Sequence, residues 1–287
     1  MADEKSLINL GDLSQPATTL IKKVSKAVGI LYEPRRIVKM AEAEARAEKI
    51  KALAEMELSE MQQRGMQRLI YQEGRKQENI EKITAEAVQN LPPYANAEDI
   101  EEDWIAHFFD KCDLVSDKDM QSLWSKLMAG EATKPGTYSK RTVDFVATMD
   151  KKDAELFTKF CQFTWMIGGP APLIFDVENA IYNSHGINFA ALKHLDAIGL
   201  ISFESTSGYR KVGFRKHAVV SYFGKPFLLE FPKDEKNELQ TGKALFTKAG
   251  EELVSICGAT SNPDFEYYAL EEMRKKNLAP ASLLINK

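Results

Sequence analysis

Apolar positions recur every eleven residues between residues 34 and 90, in a segment rich in strong helix formers, although Gln72 and Lys76 break the third of four repeats. Eleven residues over three turns is about 3.67 residues per turn, so the apolar side chains stay on one face of a straight or gently right-handed helix. The pattern predicts a long protruding helix, on the order of 80 Å at 1.5 Å per residue. No compact domain covers that length, so a second chain or another part of this chain must bury the apolar face.

The large residues of this eleven-residue repeat are the predicted oligomerisation contacts. They are Ile50, Leu58, Met61, Leu69, Ile80 and Ile83. Left in water, each would forgo roughly 1.5–3 kcal/mol of burial free energy. We therefore predict a homo-oligomer held by a coiled-coil-like pairing of the long helix, with an intramolecular hairpin as the alternative. Gly74 weakens the second half of the segment and is the predicted place of a kink.

A shorter amphipathic helix is predicted over residues 13–31, with lysines opposite its apolar face. Glu33-Pro34 ends this helix, and basic residues continue beyond it. The candidate membrane contacts are Lys22, Lys23, Lys26, Arg35, Arg36 and Lys39. One interpretation places the helix on an anionic membrane surface, with its cations at the lipid headgroups. The alternative is a helix docked on its own protein with its lysines in water.

The rest of the chain divides into two predicted domains after the break at Leu91-Pro92-Pro93. A compact helical module comes first, and its core holds Trp104, Trp124 and Trp165. We interpret Gly168-Gly169-Pro170 as a linker to the second domain.

The last predicted domain combines one helix over residues 188–198 with short strand-like runs and a closing helix capped by Thr247. This order resembles a winged helix over residues 175–258. The predicted fold is therefore mostly α with a small α+β part. Its segments are a basic amphipathic N-terminal segment (1–33), a long helix (34–91), a helical module (92–168) and a winged-helix-like domain (169–287).

Charge restricts where nucleic acid could bind. The 287 residues are 44% hydrophobic and carry a formal net charge of −4, which argues against attraction of the whole chain to nucleic acid. The strongest local patch is a wing-like segment with aromatic residues between its cations, Arg210, Lys211, Arg215 and Lys216. The preceding helix offers only Lys193 as a strong donor. A protein contact is therefore favoured over a nucleic-acid contact for this domain.

No motif points to catalysis or to a cofactor. Cys112, Cys161 and Cys257 are widely spaced and form no C-x-x-C pair, which favours buried structural roles in a reducing cytoplasm. Phosphate-loop, dinucleotide-binding, nucleophile-elbow and H-E-x-x-H motifs do not occur. We predict no catalytic, cofactor or metal site, and a hydrolase with an unrecognised site is the least favoured class.

The expected location is cytoplasmic. Met1–Lys5 is polar, and no run of eighteen apolar residues occurs that could span a bilayer. The protein would be peripheral at the inner membrane if the basic N-terminal helix binds lipid.

The stretch DWIAHFFDKCDLVSDKDMQSLWSKLMAGEATKPGTYSKRTVDFVATMDKKDAELFTKF resembles a module shared by bacterial proteins grouped as a domain of unknown function. The order of basic segment, Ala/Glu-rich helix, this module and the later HGINFAALKHLDAIGLISF resembles the same family along nearly the whole chain. Its members bear some resemblance to abortive-infection proteins. That resemblance implies a role in phage defence or stress, and it implies no catalytic residues.

These observations favour a non-enzymatic, oligomerising interaction protein. Its partner would be an anionic membrane surface or another protein, met through residues 13–90. The alternative function is a nucleic-acid-binding regulator that uses the winged-helix-like domain.

Overall fold

A computed structural model describes residues 13–28 and 59–282. Helix accounts for about 52% and strand for about 17% of these residues, so the fold is mixed α+β with helix as the larger part. The chain forms two compact units, Met1–Ala147 and Thr148–Lys287. Each unit has its own buried core.

The described part of the first unit is helical. Its elements are α1 (Gln15–Val28), α2 (Glu60–Gln89), a 3-10 turn (Ala97–Asp99), α3 (Glu102–Cys112), α4 (Lys118–Thr133) and α5 (Lys140–Ala147). α1 packs on α3 and on the 3-10 turn, while α2 packs on α4. Trp104, Phe108 and Trp124 form the aromatic centre, with ring centroids 5.1–5.2 Å apart.

Helix α2 begins later than the eleven-residue repeat predicts. Ser59 has an extended ψ of 155° and is the N-cap. Its hydroxyl accepts from the Gln62 amide at 3.4 Å, and its own amide donates to Gln62 Oε1 at 2.9 Å. This reciprocal capping box satisfies amides that an uninterrupted helix would bond internally. The prediction of one unbroken helix over residues 34–90 is therefore wrong at Ser59.

Other parts of that prediction have separate outcomes. α2 remains helical through Gly74, the predicted kink, and ends at Gln89 before the Pro-Pro break. Ile50 and Leu58 lie outside the described residues, and so do the three predicted membrane contacts Arg35, Arg36 and Lys39.

The second unit combines short helices with antiparallel sheets. Its helices are α6 (Lys151–Cys161), α7 (Ala180–Asn183), α8 (Phe189–Ala197), α9 (Lys248–Leu253) and α10 (Pro263–Lys275). Its strands are β1 (Thr164–Met166), β2 (Pro170–Pro172), β3 (Ile201–Phe203), β4 (Tyr209–Phe214), β5 (His217–Tyr222), β6 (Lys225–Glu230), β7 (Asn237–Gly242), β8 (Ala244–Phe246) and β9 (Ala279–Ser282).

These strands form a five-stranded sheet in the order β2-β1-β5-β6-β9 and two ribbons, β3-β8 and β4-β7. The strand-like runs of the sequence correspond to β3, β4, β5 and β6. Trp165 on β1 packs between Tyr222 and Phe227, with centroids 5.2 Å from each. Trp165 thus belongs to the core of the second unit, whereas the sequence placed it with Trp104 and Trp124.

The Gly168-Gly169 pair is the turn of the β1-β2 hairpin, in which Met166 pairs with Pro170. Both glycines have positive φ, 65° and 149°, which a residue with a Cβ rarely adopts. The pair therefore joins two paired strands within one unit, and the division between units falls after Ala147 instead of at residue 168.

Candidate functional site

The first candidate surface is the N-terminal part of α2, residues 60–75, which we call the exposed half of α2. Every residue in it except Met66 is exposed. Four large apolar or aromatic side chains are more than half exposed: Met61 (75%), Leu69 (52%), Ile70 (60%) and Tyr71 (66%). Met61 and Leu69 lie about 80° apart around the helix, whereas Ile70 lies about 180° from Met61, so the apolar surface of a single face is that of Met61 and Leu69.

The remainder of α2 is anchored in the first unit. Ile83 and Ala87 are fully buried. Asn79 Nδ2 donates to the Asp113 carbonyl oxygen at 2.8 Å, and Gln121 Nε2 donates to Asn79 Oδ1 at 3.1 Å. The helix is therefore fixed at its C-terminal half.

An ion pair marks the boundary between the two halves. Lys76 Nζ lies 3.3 Å from a carboxylate oxygen of Asp113 and 3.4 Å from one of Glu73. The hydrogen bond and charge of Asp113, followed by those of Glu73, raise the pKa of Lys76 above its usual 10.5.

The predicted oligomerisation residues thus divide between a surface and a core. Met61 and Leu69 are exposed, Ile80 is partly buried beside a cavity of about 280 Å³, and Ile83 lies in the core. The first unit itself covers the last apolar positions of the eleven-residue repeat, so Ile83 is not available to a partner.

Helix α1 is docked on its own unit, which is the second of the two interpretations of the basic N-terminal segment. Its apolar residues Leu20 and Val24 are fully buried. Lys23 Nζ donates to the carbonyl oxygens of Glu98 and Ile100, and Lys26 forms an ion pair with Glu102. Among the three described candidate membrane contacts, Lys22 is exposed and has no ion pair with a described residue. An apolar face in the protein core is not available to lipid.

In residues 13–28 and 59–282, no group of three or more potential ligands could hold a metal ion. The same residues contain no helix long and apolar enough to cross a membrane. Cys112 and Cys161 are buried, and burial raises the pKa of both thiols. A thiol that stays protonated is a poor nucleophile, which agrees with packing roles.

The four cations of the wing-like segment do not form one patch. Arg210 Nη1 lies 3.1 Å from Glu238 Oε2, and Lys216 Nζ lies 3.9 Å from Glu230 Oε1. Lys211 Nζ donates to the Ile167 carbonyl oxygen at 2.7 Å, and burial lowers its pKa. Arg215 is exposed. Arg210 and Lys211 pair with β7 in regular register, so their side chains point to opposite faces of the ribbon. A register shift between Tyr209 and Arg210 interrupts this alternation.

Arg210 instead lines a cavity of about 450 Å³ within the second unit. We call it the basic cavity, because Lys243 and Lys276 line it as well; its wall also includes Phe175, Tyr209 and Gln240. Lys276 Nζ lies 4.5 Å from the centroid of the Phe175 ring. Desolvation lowers the pKa of Lys276, against a smaller opposing effect of Glu272.

Backbone contacts hold the wall of the basic cavity. The amide of Ile174 donates to Thr241 O at 3.2 Å, and the amide of Lys243 donates to Ile174 O at 2.7 Å. Gly242 has a φ of 101°, and a Cβ there would lie 2.1 Å from Ile174 O. Only glycine permits this approach, which brings Phe175 beside the β4-β7 ribbon.

Sequence reasoning identified Arg210 but missed Lys243 and Lys276. These lysines follow β7 and α10 and have no spacing that connects them with Arg210. Only the fold brings the three together.

Comparison with curated proteins and with solved structures gives no match. Comparison with family models matches residues 63–270 to one family. The match covers the described part of α2 beyond its first turn, the helical module and most of the second unit. The chain therefore belongs to the family described as "Protein of unknown function (DUF2806)".

Proposed function

We propose that this protein is a non-enzymatic interaction protein that self-associates by helix pairing through the exposed half of α2. The observation that carries the proposal is the exposure of Met61 (75%) and Leu69 (52%) on one face of the helix. Burying a large apolar side chain contributes roughly 1.5–3 kcal/mol. Pairing two copies through this face would bury Met61 and Leu69 of each copy, whereas Ile70 and Tyr71 point to other sides of the helix.

The shape of the helix also favours a helix as the partner. Met61, Gly65 and Leu69 follow one another at intervals of four residues, so they share a face. Apart from Gly65 itself, its two neighbours and the adjacent backbone of α2, no heavy atom of the described residues lies within 4 Å of the position where a Cβ of Gly65 would be. A second helix could approach the backbone closely there, with Met61 and Leu69 on either side of the contact.

The rigidity of α2 and the balance of its charges both lower the free-energy cost of pairing. The capping box at Ser59 and the buried contacts of Ile83 hold α2 at both ends, so little conformational entropy remains to be lost on association. The charged residues from 60 to 78 nearly balance in sign, so two copies do not repel strongly. They are Glu60, Arg64, Arg68, Glu73, Arg75, Lys76 and Glu78.

Sedimentation velocity of the full chain at micromolar concentration tests the proposal. We expect the wild type to be a dimer or larger and Leu69→Glu to be a monomer, because a charge would enter the apolar contact. Leu69→Glu should unfold at the same temperature as the wild type diluted until it is monomeric, since the side chain at position 69 is 52% exposed.

Gln67→Glu is the matched control, because it adds the same charge about 160° around the helix from position 69, on the side of Ile70 and Tyr71 and away from the face of Met61 and Leu69. It should sediment as the wild type does. A monomeric wild type, or an assembly that survives Leu69→Glu, would show the proposal to be wrong.

For the second unit, we infer a winged-helix-like arrangement of α7, α8 and the β3-β8 ribbon. Asn188 caps α8, and Gly199 follows it with a φ of 85°. The Thr247 hydroxyl donates to Gly199 O and accepts from the Gly250 amide, which joins the start of β3 to α9.

The surface of α8 favours a protein contact over nucleic acid. Lys193 pairs with Asp196 at 3.3 Å, and His194 contacts Asp153 at 2.6 Å. Phe189 beside them is 49% exposed. When the cations of a recognition helix are paired with carboxylates, the helix lacks the phosphate contacts on which DNA affinity depends. The nucleic-acid regulator therefore remains the weaker alternative, and a defence or stress role remains a prediction from the resemblance.

A further inference from the structure

The basic cavity of the second unit has three features that bear on ligand binding. It concentrates the cations Arg210, Lys243 and Lys276. Its lining also includes one residue with an aromatic side chain, Tyr209, and one with an amide side chain, Gln240. Its volume of about 450 Å³ lies within the usual range of small-ligand sites.

A carboxylate acts on each of the three cations, but Glu204 acts on Lys243 and Glu272 acts on Lys276 by charge alone, without an ion pair. Among the described residues, Glu238 is the one carboxylate within 4.0 Å of these cations, and it pairs with Arg210. Lys243 Nζ donates to the Thr206 carbonyl oxygen, and Lys276 lies over Phe175. Both ammonium groups retain donors for an anion, because each has three N–H bonds and these contacts engage few of them.

The turn that forms one side of the cavity is already ordered. The Glu204 carboxylate accepts from the Thr206 amide at 3.0 Å and from the Thr206 hydroxyl at 2.6 Å. Lys243 Nζ donates to the carbonyl oxygen of Thr206. The loop around Phe175 is held by Gly242 and Lys243 on the other side. A preorganised site loses little entropy when a ligand binds.

We propose that the basic cavity binds a nucleotide, with Arg210, Lys243 and Lys276 contacting its phosphates and Tyr209 and Gln240 contacting its base. Guanidinium and ammonium groups are the usual protein partners of phosphate oxygens. An aromatic ring stacks on a base, and a glutamine amide both donates to and accepts from its edge. Inorganic phosphate would use only the cations and would leave Tyr209 and Gln240 without a role.

The cavity lies within the second unit, so this inference does not depend on self-association through α2. Isothermal titration calorimetry of the full chain with ADP, GDP, CDP and UDP tests it. At least one nucleoside diphosphate should bind about tenfold more tightly than inorganic phosphate or the corresponding nucleoside. The diphosphate contacts both the three cations and the two residues proposed to contact the base, whereas phosphate or nucleoside contacts one of these groups.

Three variants locate the binding. Lys243→Gln and Lys276→Gln should each weaken the tightest diphosphate by about tenfold or more, because each removes a charge-assisted hydrogen bond. Gln240→Glu should abolish binding by placing a carboxylate in the cavity. All three positions are at the surface or partly exposed, and far-ultraviolet circular dichroism checks that each variant is folded.

Arg215→Gln is the matched control, since it removes one exposed cation beyond the end of β4 and outside the cavity. It should change the affinity by less than about twofold, because exposed charges at a distance are screened by salt. The proposal is overturned if no diphosphate binds or if inorganic phosphate binds equally well. It is also overturned if duplex DNA binds and Arg215→Gln weakens that binding as much as Lys243→Gln does.

Discussion

Helix α1 and the exposed half of α2 have the same kind of sequence and opposite environments. Both carry apolar residues at helical spacing. The sequence left open a membrane surface or its own protein as the cover of α1, and it predicted a second chain as the cover of α2, with an intramolecular hairpin as the alternative. In the structure Leu20 of α1 is fully buried by its own unit, whereas Leu69 of α2 is 52% exposed. An amphipathic pattern therefore predicts that one face of a helix will be covered, but it does not identify the cover.

Length explains part of the difference between the two helices. α1 has 14 residues, and α3 with the adjacent 3-10 turn covers its apolar face. α2 has 30 residues and is about 45 Å long, whereas its packing partner α4 has 16 residues and is about 24 Å long. A partner of that length covers about half of α2, and the N-terminal half remains in solvent.

Replacing one leucine by alanine in each helix should give the largest difference between them in the free energy of unfolding. Leu20→Ala should lower the free energy of unfolding by about 2–5 kcal/mol, because it leaves a cavity in the core of the first unit. Leu69→Ala should change it by less than about 0.5 kcal/mol in the monomer, because the site is exposed. Urea unfolding monitored by tryptophan fluorescence measures both values.

This pair of variants also has an outcome that would reverse the comparison. If Leu20→Ala costs no more than Leu69→Ala, α1 is not docked as the structure has it, and its apolar face is again a candidate for lipid. Binding of Leu20→Ala to anionic vesicles would then decide between the two interpretations of α1.

A smaller effect should distinguish the two halves within α2. Asn79→Ala removes a side chain that bonds both Asp113 O and Gln121, so it should cost about 1–3 kcal/mol through unsatisfied buried groups. Gln72→Ala in the exposed half should be nearly neutral. Native-state hydrogen exchange should show faster exchange of the amides around Ile83 in Asn79→Ala. Equal exchange in the two variants would contradict the anchoring of this half.

The smallest expected effect is the pH dependence of the ion pair between the two halves. Asp113 and Glu73 raise the pKa of Lys76 above 10.5, so folding favours its protonated form. This contribution is fully present below pH 10.5 and is lost as the pH rises through the pKa of the folded state. The stability difference between the wild type and Lys76→Met should therefore be constant from about pH 7 to 9 and decrease at higher pH. Thermal unfolding across this range measures it, and a difference that grows with pH would contradict the assignment.

Much of the local structure could be predicted from the sequence. Periodicity identified α1, the C-terminal part of the long helix and α8, and Thr247 caps its helix as the sequence predicts. The strands β4, β5 and β6 follow from β-branched and aromatic runs between turns. These features depend on neighbours within a few residues.

The candidate site was less predictable. Arg210 was identified from its basic neighbours, but Lys211 of the same run is turned to Ile167, and Arg210 acts with Lys243 and Lys276. The grouping depends on the Gly242 contact with Ile174, which joins segments far apart in sequence. No pattern within a few residues of the sequence predicts a contact between segments so far apart in the chain.

By itself, the sequence determined the period of each helix, the side of the helix that is apolar, and the residues that cap its ends. Ser59 and Gln62 also belong to this local level, since their capping box ends the eleven-residue repeat as a continuous helix. The tertiary structure alone decided that α1 is covered, that α2 is half covered, and that three distant cations share one cavity. The physical reason is that hydrogen-bond caps and helical periodicity act over a few residues, whereas burial depends on which distant segment lies across the face.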